Sequence, residues 1–482
     1  MIVVHDSSRY LPVANRASNM VPLFRFIKQK FDQSDHWKSL QNTIISLWER
    51  VKATKLIAYS DSSSVVAGPG AVGLINISNT CYLNATLQSL ASCDDFFVYL
   101  ENILSVSKRL NIRPRLSSML LKCLLILRNR ESAFIESDHE NYSSKNPFNP
   151  QNILHEILRH DETFVIGVQQ DADELLRKLL EILSEEEARV KHHLASKEII
   201  LDDLMNNPLV KSPIPICITN GDNNPFLGLI CKQLECCQCH HANQVNHELF
   251  TILSLLIPNP KCSGTCTLYD CLDYFIEPEV ISDVICNSCS TVETINYVQN
   301  KIKRYEPLRE KSKEINEEYL NNKTVLDKLV SGYTRGESDL HLVDLDELSQ
   351  LQRNRHYLQE KRMDTRKHNM LSRLPSLICV GIGRKCYNEH GYQIKLNNHV
   401  AFSDTIDITK YVAKYGRKEA TLYELASVIA HHGSAQGGHY TNYSIVSGQW
   451  FHFSDTVVHE VRKEEVLRAQ AYMLFYKRKS NE

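Results

Sequence analysis

Residues Gly73–Leu90 read GLINISNTCYLNATLQSL, a polar turn that runs straight into a helical apolar pattern, with one cysteine at the junction. After Cys81 the apolar residues Leu83, Leu87 and Leu90 recur at helical intervals. The spacing therefore predicts a helix with a buried inner face and the thiol in or just before its first turn. Unpaired backbone N–H groups at such an end favour an anion, and together with a nearby imidazole they can lower a thiol pKa and make the reactive thiolate. Asn76 and Asn79, just upstream, offer amide donors for a developing oxyanion. The competing reading is a small core cysteine, since the chain holds 15 cysteines and an isolated one in a helix is usually packing.

A second stretch answers the first. Tyr423–Val458 reads YELASVIAHHGSAQGGHYTNYSIVSGQWFHFSDTVV, which alternates like strands joined by a glycine-rich loop that ends at His439. Gly437 and Gly438 remove side chains just before the imidazole, which suits close approach of an extended substrate backbone. A returning strand, Trp450–Ser454, would set a polar group against His439 as an orienting third member. Cysteine and histidine far apart in sequence are the expected arrangement for a cysteine hydrolase.

On these residues the chain resembles the ubiquitin-specific protease family of deubiquitinases. That family's cysteine box is close to GLxNxGNTCYxNAxLQxL, and its histidine box is close to YxLxAVIxHxGxxxxGHYxxY followed by Trp and an acidic pair. Two further blocks agree: QQDADELL at Gln169–Leu176 and LPSLICVGIGR at Leu374–Arg384. The resemblance implies an α+β, papain-like cysteine protease fold, with a helical thumb, a β palm and β fingers that carry a zinc ribbon. It implies Cys81 as nucleophile, His439 as general base and then acid, and Asn76 as oxyanion donor. Gln170, Asp171, Gly437 and Gly438 would bind substrate, with Asp171 facing the basic tail of ubiquitin. The family usually has Asp or Asn where this chain has Ser454, with Asp455 next. Serine can orient the imidazole but carries no charge, which Asp455 could supply. A Cys-His-Ser arrangement marks a subgroup on the mitochondrial outer membrane, which His399–Phe402 also resembles; by that likeness the enzyme would prefer lysine-6-linked chains and oppose mitophagy. Ser78 stands where the family has glycine, Asp173 where it has histidine, and Lys385 where an aromatic is common.

Two CxxC knuckles occupy the middle of the chain, in LECCQC at Leu234–Cys239 and CNSC at Cys286–Cys289. Two such knuckles complete a tetrahedral thiolate site for Zn2+, a structural cofactor. We assign Cys236, Cys239, Cys286 and Cys289, where the family's finger-tip zinc lies; Cys231, His240, Cys262 and Cys266 are alternative ligands, and free thiols or disulfides the other reading.

Composition bounds the rest. With 55 basic and 57 acidic residues, nothing calls for nucleic acid. The cysteine usage reads as an intracellular, cytosol-facing thiol protein. No stretch has the ~18 uninterrupted apolar residues of a membrane span, and no secretory signal opens the chain, so the mitochondrial location rests on resemblance alone. Residues 1–72 read as a helical extension and linker whose basic amphipathic helices pack on their own domain, with a membrane surface as the other reading. Residues 73–478 are the expected catalytic domain: thumb 73–205, fingers and palm 206–302 and 370–478, and a charged insertion 303–369, partly helical. We expect a monomer with no organic cofactor that hydrolyses the (iso)peptide bond after the last glycine of ubiquitin. The competing classes are an inactive ubiquitin-binding scaffold and a protease for a ubiquitin-like modifier.

Overall fold

A computed structural model describes residues 71–128, 147–165, 167–196, 223–258, 266–334, 359–387, 390–414, 421–434 and 437–479. All lie in one compact unit, Gly70–Glu482. The helices expected near the N-terminus, the linker at 60–70 and Cys262 fall outside the described residues.

Five helices form the thumb: α1 (Cys81–Ala91), α2 (Asp94–Leu110), α3 (Arg115–Leu127), α4 (Gln151–His160) and α5 (Ala172–Ser196). Three more follow, α6 (Leu268–Ile276), α7 (Asn287–Tyr305) and α8 (Lys313–Thr334). The strands that matter to the site are β1 (Gly228–Cys236), β2 (Asn246–Phe250), β3 (Ile252–Leu256), β4 (Glu279–Ile285), β5 (Arg362–Arg373), β6 (Leu377–Gly383), β7 (Thr405–Asp407), β8 (Leu422–Gly433), β9 (Gly438–Val446), β10 (Gln449–Ser454), β11 (Val457–Glu460) and β12 (Ala471–Arg478).

The palm is a sheet in the order β11-β10-β9-β8-β12-β6-β3, with β7 also on β8. All its pairs are antiparallel except β3 with β6. Its centre is buried on both faces, which is why LASVIA in β8 is apolar at every position but Ser427 and buried throughout. Alternate residues serve two cores. Ile429, Met473 and Phe475 join the thumb helices, while Val428, Leu474 and Tyr476 pack against α6 and Tyr411 on the other side.

The cysteine-bearing helix α1 lies between palm and thumb, so all 11 of its residues are buried rather than one inner face. Its polar side chains are satisfied inside. Ser89 Oγ, Ser427 Oγ, Ser444 Oγ and Asn442 form a buried network that ties α1 to β8 and β9.

The fingers are a second sheet, β2-β1-β5-β4. The chain passes from it into the palm twice, from β2 to β3 across Thr251 and from β5 to β6 across 374–376. Strand β5 runs through the boundary that the sequence placed between 369 and 370. Its alternating charges RMDTRKHN suit a sheet with both faces partly solvated, and so resemble a loop when read along the chain. The charged insertion contributes α8, which packs on α7 beyond the second knuckle.

Candidate active site

The polar turn before α1 uses the left-handed backbone region twice, at Ser78 (φ 55°) and Asn79 (φ 64°). The glycine-like conformation is thus kept although Ser78 carries a side chain, at a cost on the order of 1 kcal/mol. Asn79 Nδ2 donates to the Gly167 carbonyl at 2.9 Å, which anchors the turn to the loop ahead of α5. Cys81 is the first residue of α1 and only 3% exposed. Burial pushes its thiol above the ordinary 9.0, the backbone N–H groups of Tyr440, Tyr82 and Cys81 pull it down, and the charge of Asp455 adds to the rise. The expectation of a lowered pKa at the helix start is therefore corrected: those donors are present, but desolvation outweighs them.

Strand β9 begins at Gly438, so His439 is its second residue. The neighbouring N–H, that of Tyr440, is one of the groups on the thiol, which brings the histidine box to the cysteine box. Register pairing sets Thr441 near Ser454 across β9 and β10, and His439 Nε2 lies 2.9 Å from Ser454 Oγ. The aromatic strand thus delivers its serine to the imidazole, leaving Nδ1 for other chemistry.

Asp455 is placed differently from Ser454. With φ 53° it turns off the strand end, and its carboxylate accepts from Asn76 Nδ2 at 2.8 Å and Asn84 Nδ2 at 2.7 Å. Asn76 Oδ1 in turn accepts from the Thr80 N–H at 2.9 Å. The carboxylate that we expected to support an imidazolium is instead engaged by the two amides of the cysteine box. It fixes which way Asn76 points and, among the described residues, leaves one Asn76 N–H without an acceptor, beside the start of α1. Asn84 was not singled out from the sequence, although it stands in the motif.

The thumb and palm also meet through Gln169. Its Nε2 donates to the Gly438 carbonyl at 2.7 Å, the Gly438 N–H donates back to Oε1 at 2.8 Å, and the same Nε2 is 3.9 Å from Cys81 Sγ. Gln169 was missed in favour of its neighbour Gln170, whose Nε2 donates to the Thr163 carbonyl at 3.3 Å. Gly438 has no room for a side chain because a Cβ there would stand 2.0 Å from the His432 carbonyl oxygen. Its bareness serves strand packing within the chain, whereas Gly437 faces Gln169 more loosely, at 3.6 Å.

Gln169, Gln170, Asp171, Lys385, Gly437 and Tyr472 help to line a small cavity of about 90 Å³ beside these residues. Asp171 Oδ2 accepts from Lys385 Nζ at 2.7 Å, and Oδ1 accepts from the Tyr472 hydroxyl and the Asp173 N–H. Burial pushes this carboxyl up, but the Lys385 and Tyr472 hydrogen bonds outweigh it and hold the group below its ordinary range. Asp173 pairs with Arg177 at 3.1 Å. A larger cavity of about 300 Å³, lined by Gln88, Arg128, Ile445 and Lys477 among others, contains none of these groups.

At the finger tip Cys236, Cys239, Cys286 and Cys289 bring all four sulfurs within 4.8 Å of one another. The Cys236–Cys289 and Cys239–Cys286 separations are 3.8 and 3.5 Å. A tetrahedron with metal–sulfur bonds of about 2.3 Å has edges of about 3.8 Å, so the sulfurs fit a tetrahedral divalent ion. Of the alternatives, Cys266 faces Cys271 at 3.7 Å, His240 pairs with Glu235 at 3.1 Å, and Cys231 lies within β1 outside the cluster.

A family model described as ubiquitin carboxyl-terminal hydrolase matches residues 72–476. The chain belongs to that family. Ubiquitin carboxyl-terminal hydrolases of this type are cysteine-type deubiquitinating enzymes, and the expectation drawn from the two boxes is met at that level. Ubiquitin carboxyl-terminal hydrolase 30 of Xenopus tropicalis is 28% identical over 484 residues, covering 84% of this chain and 80% of the relative. Its Homo sapiens counterpart is 25% identical, with 84% of each chain covered. Ubiquitin carboxyl-terminal hydrolase 3 of Homo sapiens follows closely at 24%, covering 92% of this chain and 76% of the relative. Among solved structures, the SAGA deubiquitinating module Ubp8/Sgf11/Sus1/Sgf73 bound to monoubiquitin aligns with a TM-score of 0.55 at 19% identity, over 90% of this chain and 75% of that one. This last likeness carries the fold: mixed helix and sheet with a cysteine-ribbon finger, as the sequence resemblance implied.

Proposed function

We propose that this hydrolase cleaves the (iso)peptide bond after the C-terminal glycine of ubiquitin, through an acyl-enzyme on Cys81. The observation that carries the reading is the convergence of His439–Ser454 at 2.9 Å with the Tyr440 N–H on the thiol. His439 takes the thiol proton as Sγ attacks the carbonyl, the oxyanion receives the unengaged N–H of Asn76 with the backbone N–H groups at the start of α1, and the imidazolium returns its proton to the leaving amine. Water then attacks the thioester with His439 again as base, releasing ubiquitin. Ser454 holds the ring, and Asp455 acts through Asn76 rather than through the ring.

The finger cysteines would hold Zn2+ as a structural clamp, with no part in the bond-breaking steps. When bound, the ion supplies cross-linking of β1 to the start of α7. Ubiquitin would seat its body on fingers and palm and its tail in the cleft between Gln169 and Asp171.

Ser454 beside His439, together with the similarity to ubiquitin carboxyl-terminal hydrolase 30, favours ubiquitinated mitochondrial proteins as substrates and a role opposing mitophagy. Among the described residues no helix is long and apolar enough to cross a membrane.

The test is intact mass after mixing the protein with ubiquitin that bears a C-terminal cysteine-reactive electrophile. We expect a single adduct on the parent and none on Cys81→Ala. An unmodified parent would leave a ubiquitin-binding scaffold, and an adduct with a ubiquitin-like modifier but not with ubiquitin would move the specificity.

A further inference from the structure

Strand β6 ends one residue before Arg384, so the two residues that leave the palm here are both cationic. They diverge. Arg384 is 2% exposed and spends Nε and Nη1 on the carbonyls of Ala471, Leu396 and Asn398, whereas Lys385 reaches across the cleft to the thumb and lands on Asp171. Lys395, on the short strand Gln393–Lys395 that pairs with Lys385–Tyr387, lines the same cavity and donates to the His431 and Gly433 carbonyls. The cavity wall thus carries three cations and one carboxylate, with Asp173 behind it already paired to Arg177. His431 adds no charge, because burial holds its pKa near about 4.

From this geometry we infer that Lys385 is a specificity-determining residue, which fills the Asp171 carboxylate in place of the substrate's basic tail. The inference rests on the ubiquitin reading above. It follows from the contacts on that carboxylate. Oδ2 is taken by Lys385, and Oδ1 is shared by Tyr472 and the Asp173 N–H, so an incoming guanidinium must displace a tethered ammonium rather than meet a free anion. Binding is then an exchange of one cation for another. The Coulombic gain that an open Asp171 would give a basic tail is largely cancelled, and the like charge of Lys395 opposes entry further. Lys385 is 47% exposed at its side chain, so it has solvent to swing into. A chain built this way tolerates a neutral tail nearly as well as a basic one and relies more on the folded body of its substrate.

The experiment compares kcat and KM for a C-terminal fluorogenic ubiquitin and for the same substrate with the basic residues ahead of its Gly-Gly end replaced by glutamine. It uses the full chain and the variants Lys385→Met, which keeps the stem without the charge, and Lys385→Arg, which keeps the charge. For Lys385→Met we expect KM for the basic tail to fall about three- to tenfold, with the effect on KM rather than kcat. The preference for basic over neutral tail should rise by the same factor, and KM should become more sensitive to salt. Lys385→Arg should behave as the parent. Hydrolysis by the parent with an unchanged tail preference in Lys385→Met overturns the inference and leaves the ubiquitin reading standing. A parent that hydrolyses neither substrate overturns both.

Discussion

The thumb–palm cleft and the finger tip both display cysteines, but the two regions hold them by opposite means. Cys81 sits in the apolar core between thumb and palm, on a helix buried along its whole length, and its surroundings are fixed by packing and by a network of amides and hydroxyls. The finger strands β2 and β4 are mostly exposed, and β1 and β5 only half buried, so little apolar burial holds that sheet. What joins its ends is the four-sulfur cluster, which links the β1 knuckle to the start of α7. One region is rigid without help and can afford a reactive group. The other has little apolar burial to hold it, and the proposed metal would supply its cross-link.

The largest expected effect separates the two completely. Cys81→Ala should lower turnover of a ubiquitin substrate by at least about 10⁴-fold, because the residue is the nucleophile in the proposed mechanism. The melting temperature should move by only about 3 °C or less, since one buried sulfur is lost from a large core. A large fall in melting temperature would mean that the thiol is core packing after all.

Breaking the finger should do the reverse. Removal of the metal, or Cys239→Ser, should loosen the finger strands β1, β2, β4 and β5 to limited proteolysis and raise KM for ubiquitin by at least about tenfold, since metal binding of this kind is also folding energy. Alkylation of Cys81 should continue at its former rate. Purified protein without zinc by elemental analysis, and indifferent to chelators, would remove the metal half of the comparison.

How much of this was legible beforehand follows the same division. The cysteine box, the histidine box with its returning serine, and the two CxxC knuckles could be picked out because each is a local pattern of residue types, and the roles proposed for them rest on those patterns. The contacts that need tertiary register could not. Gln169 on Gly438, Lys385 on Asp171 and Asn84 on Asp455 are separated by 269, 214 and 371 positions, and no local pattern marks any of them. Asp455 shows the limit well. Its place beside Ser454 suggested a partner for the imidazole, but a positive φ at the strand end turns it away to the cysteine box. Ser78 shows another, because only backbone coordinates could say whether its turn needs the left-handed region.

Within the cleft, the roles of Ser454 and Asp455 should part under substitution. Ser454→Ala and Asp455→Asn should each lower kcat by roughly 10- to 10²-fold, the first through the ring and the second through the oxyanion donor Asn76. Alkylation of Cys81 against pH tells them apart. Burial raises this thiol above 9.0, so alkylation of the parent should be slow at neutral pH and still climbing past that value. Asp455 pushes in the same direction as burial, so Asp455→Asn should shift the profile towards lower pH. Equal profiles in parent and Asp455→Asn would show that the charge does not reach the thiol.

The smallest effect tests whether the cleft's rigidity comes from its buried polar network. Asn442 Nδ2 donates to Ser89 Oγ at 2.7 Å and to Ser427 Oγ at 2.8 Å, and Asn442 Oδ1 accepts from Ser444 Oγ at 2.6 Å, all without solvent. Asn442→Ala removes one member and takes one partner from each of three hydroxyls in the interface between α1 and the palm, which keep the Ala85, Tyr443 and Gln88 carbonyls as acceptors. Lost buried hydrogen bonds of this kind cost about 1–3 kcal/mol, which in a unit of this size lowers the melting temperature by about 1–4 °C. The finger should be unaffected, so proteolysis of its strands should match the parent. If Asn442→Ala melts like the parent, then apolar packing alone fixes α1, and the contrast between a network-held cleft and a metal-held finger reduces to a contrast in buried area.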